Sequence, residues 1–144
     1  MNVKLLTAAD LMTKNPLTIA PTATLREAAI ILCQQKLHCL LVPGDAGCCV
    51  GVITSKDIVQ ILCEVEPEML DQLHVADAMT TPAITVQEQF LIIDCLRLMR
   101  MCGVRSVPVV CGLTPVGVLS FTDVLNATVK DAPTVGQSQL PERQ

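Results

Sequence analysis

Gly51-Val52-Ile53-Thr54-Ser55-Lys56-Asp57 and Gly117-Val118-Leu119-Ser120-Phe121-Thr122-Asp123 carry one pattern, 66 residues apart. Ala9-Asp10-Leu11-Met12-Thr13 likewise returns as Ala76-Asp77-Ala78-Met79-Thr80, at a shift of 67. Pro16 answers Pro82, Thr18-Ile19 answers Thr85-Val86, and Leu40-Leu41-Val42 answers Val107-Pro108-Val109. Segments recurring in the same order are an internal repeat: one supersecondary unit written twice, each copy burying its apolar face with help from the other. The second copy is one residue shorter in the turn before its last strand.

Within each copy the pattern predicts a helical turn, a short strand, a helix, two strands and a closing helix. Thr24-Leu25-Arg26-Glu27 is a capping box, and Leu25, Ala28, Ala29, Leu32 and Cys33 follow at helical spacing. Ile92, Cys95, Leu96 and Met99 repeat that spacing in the second copy. Leu37 to Val42 and Val104 to Val110 are short apolar runs suited to buried strands. Gly44-Asp45-Ala46-Gly47 predicts a tight hairpin turn, and Cys111 to Pro115 takes its place in the second copy. The closing helices are expected near Lys56–Glu64 and Thr122–Val129, joined by an acidic connector that contains Pro67. The fold class is therefore mixed α/β (α+β). The units are expected at residues 6–66 and 74–129, with a flexible tail from 130 to 144.

Composition narrows the function. With 51% hydrophobic and 17% charged residues the chain is built for a packed interior. A formal net charge of -4 without a run of Lys or Arg lacks the footprint of nucleic-acid binding. No apolar stretch approaches the roughly 18 residues of a membrane span, and Met1 to Thr7 does not read as a signal peptide. The expectation is a soluble, cytoplasmic protein. The eight cysteines (33, 39, 48, 49, 63, 95, 102 and 111) include no Cys-x-x-Cys pair and mostly sit in aliphatic patterns, as packing residues do. Trp and Tyr are absent, so a planar ligand would lie between aliphatic side chains and backbone.

The two hydroxyl–aspartate motifs carry the chemistry. A Ser or Thr that ends a strand, with an Asp three residues on, caps a helix and stabilises it by about 0.5–2 kcal/mol. The same carboxylate can accept hydrogen bonds from a ribose diol, each worth roughly 1.5–3 kcal/mol. Nearby helix N-termini offer N–H groups to phosphate oxygens. Asp57 and Asp123 are thus candidate ribose ligands, with Thr54, Ser120 and Thr122 as hydroxyl donors and Lys56 as a charge. A cap and a ligand contact can coexist. Lys56 also reads as a solvated helix residue.

In sequence these motifs resemble the cystathionine-β-synthase (CBS) domain, which occurs as tandem pairs called Bateman modules. The resemblance runs from about Leu6 to Val129, on the Met-Thr pairs, Thr18 and Thr85, Val107-Pro108-Val109-Val110 and both Gly-x-x-[Ser/Thr]-x-x-Asp endings. It implies two pseudo-symmetric β-α-β-β-α units packed sheet to sheet, and commonly a disc-like homodimer. It also implies two clefts between the repeats that take adenosine-containing ligands such as AMP, ADP, ATP, NAD or S-adenosylmethionine, each cleft borrowing from both repeats. His38 and Arg105 match positions where the family often places a basic residue on phosphate. Thr18, Ile19, Thr85 and Val86 match positions that commonly meet the nucleoside. Read without the family, Arg105 suits a surface ion pair, His38 a rim or core histidine, and Thr18 and Thr85 ordinary strand positions. Phe121, turned from the cleft by alternation, is expected at a dimer contact. The first copy departs from the family pattern with Leu41 in place of proline and Gly47-Cys48-Cys49 in its turn, which favours the Asp123 half.

The expected function is a stand-alone regulatory pair that binds an adenine nucleotide (AMP, ADP or ATP) and signals in trans to a protein target. It has no obligatory cofactor, no metal, and neither nucleic acid nor membrane as partner. One alternative is a ligand-free dimerisation or docking module. A less favoured one is a cysteine-based metal or redox sensor built on Cys48-Cys49 with Cys39 or Cys111. An enzyme is not expected, because neither His38 nor His74 stands near a paired carboxylate or nucleophile in the chain.

Overall fold

A computed structural model describes residues 2–130. The expected tail, but for Lys130, lies outside the described residues. After a 3-10 turn at Val3–Leu5, the first repeat runs α1 (Ala8–Leu11), β1 (Thr13–Lys14), α2 (Leu25–Gln34), β2 (Cys39–Pro43), β3 (Cys49–Thr54) and α3 (Ser55–Leu62). The second runs α4 (Val75–Ala78), β4 (Val86–Gln87), α5 (Ile92–Cys102), β5 (Ser106–Cys111), β6 (Thr114–Ser120) and α6 (Phe121–Thr128). The expected hairpin turn is a 3-10 turn at Asp45–Gly47, and the acidic connector holds another at Pro67–Asp71.

Local chemistry sets these boundaries. The Thr24 hydroxyl accepts from the Glu27 N–H and the Glu27 carboxylate accepts from the Thr24 N–H, both at 3.1 Å, so α2 starts there. Leu25, Ala28 and Leu32 then fall on one buried stripe. α5 ends on Gly103 in the left-handed region (φ 68), which glycine adopts without steric penalty. Arg26 reaches from α2 to Asp71 at 2.6 Å and to the Pro67 carbonyl at 2.9 Å, pinning the connector.

The repeats exchange their first strands. One sheet has the order β1-β6-β5-β4, so β1 of the first repeat lies on the last strand of the second, Thr13 opposite Val118. The other sheet is β2-β3, extended by a parallel bridge from Thr18 to Leu41 and an antiparallel bridge from Thr80 to Val52. Thr80 and Val52 exchange both backbone hydrogen bonds, at 2.8 and 3.0 Å. Each Met-Thr segment therefore completes the sheet of the other repeat.

Two cores result. Leu25, Leu32, Leu40, Val42 and Ile53 pack between the first sheet and its helices, and Ile92, Cys95, Met99, Val107, Val109 and Leu119 do the same in the second. Strand side chains alternate faces, yet Cys39 and Leu41 of β2, and Pro108 and Val110 of β5, are buried as well. Those second faces cover each other, sheet to sheet, between the two cores. No helix among the described residues is long and apolar enough to cross a membrane.

Candidate functional site

β6 runs directly into α6, and the junction is a complete capping box. Asp123 Oδ2 accepts from the Ser120 N–H at 2.8 Å and from the Ser120 hydroxyl at 2.9 Å, and the Asp123 N–H donates back to Ser120 Oγ at 3.2 Å. The other carboxylate oxygen turns to the first repeat: Thr13 Oγ1 donates to Asp123 Oδ1 at 3.1 Å. The β3–α3 junction repeats the arrangement. Asp57 Oδ2 accepts from the Thr54 N–H (2.9 Å) and hydroxyl (3.0 Å), and Thr80 of the second repeat donates to Asp57 Oδ1 at 3.3 Å.

A cap alone is no site. Thr7 and Asp10 make the same carboxylate contacts at the start of α1, where hydrogen bonds from the Thr7 N–H and hydroxyl lower the Asp10 pKa, and Asp10 borders neither of the two hollows described below. Asp57 and Asp123 differ by the threonine delivered from the opposite repeat. With Oδ2 occupied twice and Oδ1 once, each carboxylate keeps one acceptor direction for an incoming hydroxyl. The backbone donors are fewer than expected for a bare helix end. The Phe121 N–H is taken by the Arg105 carbonyl at 2.9 Å and the Asp123 N–H by the cap.

Asp123 borders a cleft of about 260 Å³, a little below the roughly 300 Å³ where ordinary ligand pockets begin. Its walls come from both repeats. β6 and α6 supply Val118, Ser120, Thr122 and Asp123, β1 and the segment after it supply Thr13 to Leu17, and the α2–β2 link supplies Gln35 to Cys39. His38, Ser120, Thr122 and Asp123 thus meet in one place. Thr18 is exposed and follows Leu17 at the cleft edge. Ile19 and Val86 send their side chains into the two cores. Thr54 and Asp57 lie at the pseudo-symmetric junction, with Lys56 exposed on the first turn of α3 and Thr85 half-buried just before β4. Arg105 lines a separate, shallower hollow of about 450 Å³ with Leu96, Met99, Arg100, Val104 and Phe121.

Four contributors to the Asp123 and Asp57 junctions were not among the candidate site residues read from sequence: Thr13, Thr80, Lys14 and Lys36. The Met-Thr pairs signalled the repeat, but their role needs the strand exchange, which no local pattern encodes. Lys36 is flagged only by aligning the copies, because Gly103 stands at its matching position.

Of the eight cysteines, Cys39 and Cys95 are buried packing residues, Cys48 and Cys49 are half-buried, and Cys33, Cys63, Cys102 and Cys111 are exposed, so the expected packing role holds for only part of the set. Cys39, at the cleft wall, is buried; burial pushes its thiol pKa up, a hydrogen bond from Ser106 being the smaller opposing effect. Burial raises Cys49 too, while its thiol donates to the Gly51 carbonyl at 3.2 Å. Raised thiols are poor nucleophiles and poor metal ligands. Among the described residues no three His, Cys, Asp or Glu side chains converge as a metal site.

Comparison with known proteins agrees with this geometry. A family model described as the CBS domain matches residues 8–64 and 75–130. The homoserine O-acetyltransferase of Methanocorpusculum labreanum is 30% identical over 126 residues, covering 83% of this chain; the chain spans only 25% of that relative's length. The crystal structure of CBSX2 in complex with AMP is 25% identical, covers 87% of this chain and 97% of its own, and superposes with a TM-score of 0.72. The CBS domain pair of protein MJ0100, crystallised with 5-methylthioadenosine and S-adenosyl-L-methionine, is also 25% identical, with coverages of 88% and 98% and a TM-score of 0.78.

Proposed function

The chain belongs to the CBS domain family, carrying the domain twice, and from that premise we propose that it is a regulatory module that binds an adenine nucleotide at the junctions between its repeats and presents the bound state to a protein partner. The observation that carries this reading is the duplicated aspartate whose two oxygens are fixed by different repeats. Asp123 Oδ2 is tied to Ser120 of the second repeat and Oδ1 to Thr13 of the first. A ribose hydroxyl on the remaining acceptor direction of Oδ1 joins that bridge, so binding energy goes into one relative placement of the repeats. A ligand shifts an equilibrium only by its differential affinity for the two states, and a contact spanning both repeats supplies one.

The nucleoside portion would lie along Pro16, Leu17 and Thr18, with Ser120 and Thr122 as hydroxyl donors and His38 on the phosphate side. Asp57 with Thr54, Lys56, Thr80 and Thr85 forms the counterpart. The similar proteins crystallised with AMP, and with 5-methylthioadenosine and S-adenosyl-L-methionine, hold molecules of this adenosine class. Regulation without catalysis suits the side chains present. His74 faces Asp77 at the surface, 3.8 Å away, and His38 forms no ion pair with Asp123 across the cleft. A homodimer through α3 and α6 would transmit the change.

Calorimetric titration of nucleotide-free protein with AMP, ADP and ATP tests this. Without Trp or Tyr, absorbance at 260 nm reports carried-over nucleotide directly. Saturable binding of at least one nucleotide is expected, weakened about tenfold or more in Asp123→Ala, the loss of one charged hydrogen bond. Alanine also removes the α6 cap, so Thr13→Val, which leaves the cap intact, serves as the second variant. No heat from any nucleotide would sink the proposal.

A further inference from the structure

Among the described residues only two non-glycine residues have left-handed backbone, Asn15 (φ 58) and Lys36 (φ 53), and both line the Asp123 cleft. Lys36 stands where the second repeat has Gly103 (φ 68). The two helix ends are otherwise closed alike, the Leu37 N–H donating to the Leu32 carbonyl and the Val104 N–H to the Met99 carbonyl, each at 3.0 Å. A side chain at this φ carries a steric cost that glycine avoids. The first repeat nevertheless places a lysine there, on the wall of a cleft.

A second lysine, Lys14, lines the same cleft from the end of β1, where the second repeat has Thr81 at the matching position. Neither lysine forms an ion pair among the described residues; the pairs present use Arg26, His74 and Arg97. In a chain of net charge -4 the cleft thus gathers Lys14, Lys36 and His38 around one carboxylate, Asp123. At the Asp57 junction Lys56 is exposed on the first turn of α3, and the two positions matching Lys14 and Lys36 carry Thr81 and Gly103 instead of cations.

From this juxtaposition, and resting on the adenine-nucleotide reading above, we infer that the Asp123 cleft selects a nucleoside di- or triphosphate, with Lys14 and Lys36 as the specificity-determining residues. The lysines come from separate elements, β1 and the α2–β2 link, on the wall of one cleft. A chain of two or three phosphates offers an anionic group to each. Each ammonium is a compact charge with three donors, suited to phosphate as a point contact. A neutral nucleoside leaves both lysines unpaired, and a sulfonium nucleoside adds like charge beside them.

Titrations of wild type, Lys36→Gly and Lys14→Gln with ATP, ADP, AMP, adenosine and S-adenosylmethionine decide the matter. Lys36→Gly installs the residue the second repeat uses at this φ, so folding is retained and the thermal midpoint is unchanged or higher. Wild type is expected to bind ATP or ADP about tenfold or more tighter than AMP and adenosine, a preference that shrinks with added salt. In Lys36→Gly the preference collapses while adenosine affinity stays put, and Lys14→Gln behaves likewise. If adenosine compounds bind but phosphate number is irrelevant, or Lys36→Gly retains wild-type ATP affinity, this inference falls and the parent reading stands. If none of the five binds, both fall together.

Discussion

Gly117 has no room for a side chain. A Cβ built there would lie 2.5 Å from the Met12 sulfur and 2.7 Å from the Thr13 carbonyl oxygen, and the second of these is backbone that cannot swing aside. At Gly51 the matching distances are 3.1 Å to Met79 and 3.0 Å to the Thr80 carbonyl. Gly117→Ala is therefore expected to lose about 1–3 kcal/mol, as overpacking does, and Gly51→Ala less; urea unfolding of both variants measures the order. Equal and negligible losses would mean that the Met-Thr segments are not held as described. At this scale the sequence was legible in part. The Gly-x-x-[Ser/Thr]-x-x-Asp motifs announced caps at Thr54 and Ser120, and those caps form. The partner of each glycine and each aspartate was hidden, because Thr13 and Asp123 meet across 110 residues. Lys36 was hidden for another reason: its left-handed backbone depends on where α2 stops, and only glycine advertises that conformation in a sequence.

Elements built from local signals were the most readable. Three helices open on a hydroxyl cap with its N–H partner three residues on, and the longer strands follow apolar runs. The two-residue strands β1 and β4 exist only through distant pairing. The Leu41–Pro108 difference has a concrete consequence here. Leu41 donates its N–H to the Leu17 carbonyl at 3.0 Å, whereas Pro108 has no N–H for the matching bond, and β4 begins two residues later, at Val86. α3 and α6 pose a different question, because each leaves apolar side chains outside. Val59 is 57% exposed on α3, and Leu125 is 62% and Val129, just past α6, 56% exposed, with Phe121 and Leu62 nearby in sequence. Large apolar side chains left exposed on two helices offer a surface that a partner can cover. The proposed homodimer is expected to show twice the 15.5 kDa chain mass in light scattering. Leu125→Glu and Val59→Glu, each placing a charge on that surface, should shift it to monomer without lowering helical content. A monomeric wild type would assign the surface to a different partner.

In the whole molecule, exchange of the first strands makes the two repeats one folding unit. Removing either repeat takes away an edge strand, a Met-Thr wedge and the threonine on an aspartate in the other, and it uncovers the second face of the remaining sheet. Such ties predict one cooperative transition, with calorimetric and van't Hoff enthalpies that agree. They also predict that a nucleotide bound at one junction protects the entire chain. At a concentration one hundred times its dissociation constant, a ligand that binds only the folded form stabilises it by about 2.7 kcal/mol. Scanning calorimetry with and without nucleotide should therefore move a single peak upward, unsplit. Two peaks, with one fixed as ligand is added, would mean that the sheets unfold separately. The exchanged strands would then be too weak to carry a signal from one junction to the other. A single moving peak makes the strand exchange the physical link between them. By reciprocity, each junction would then change the affinity of the other by the same factor.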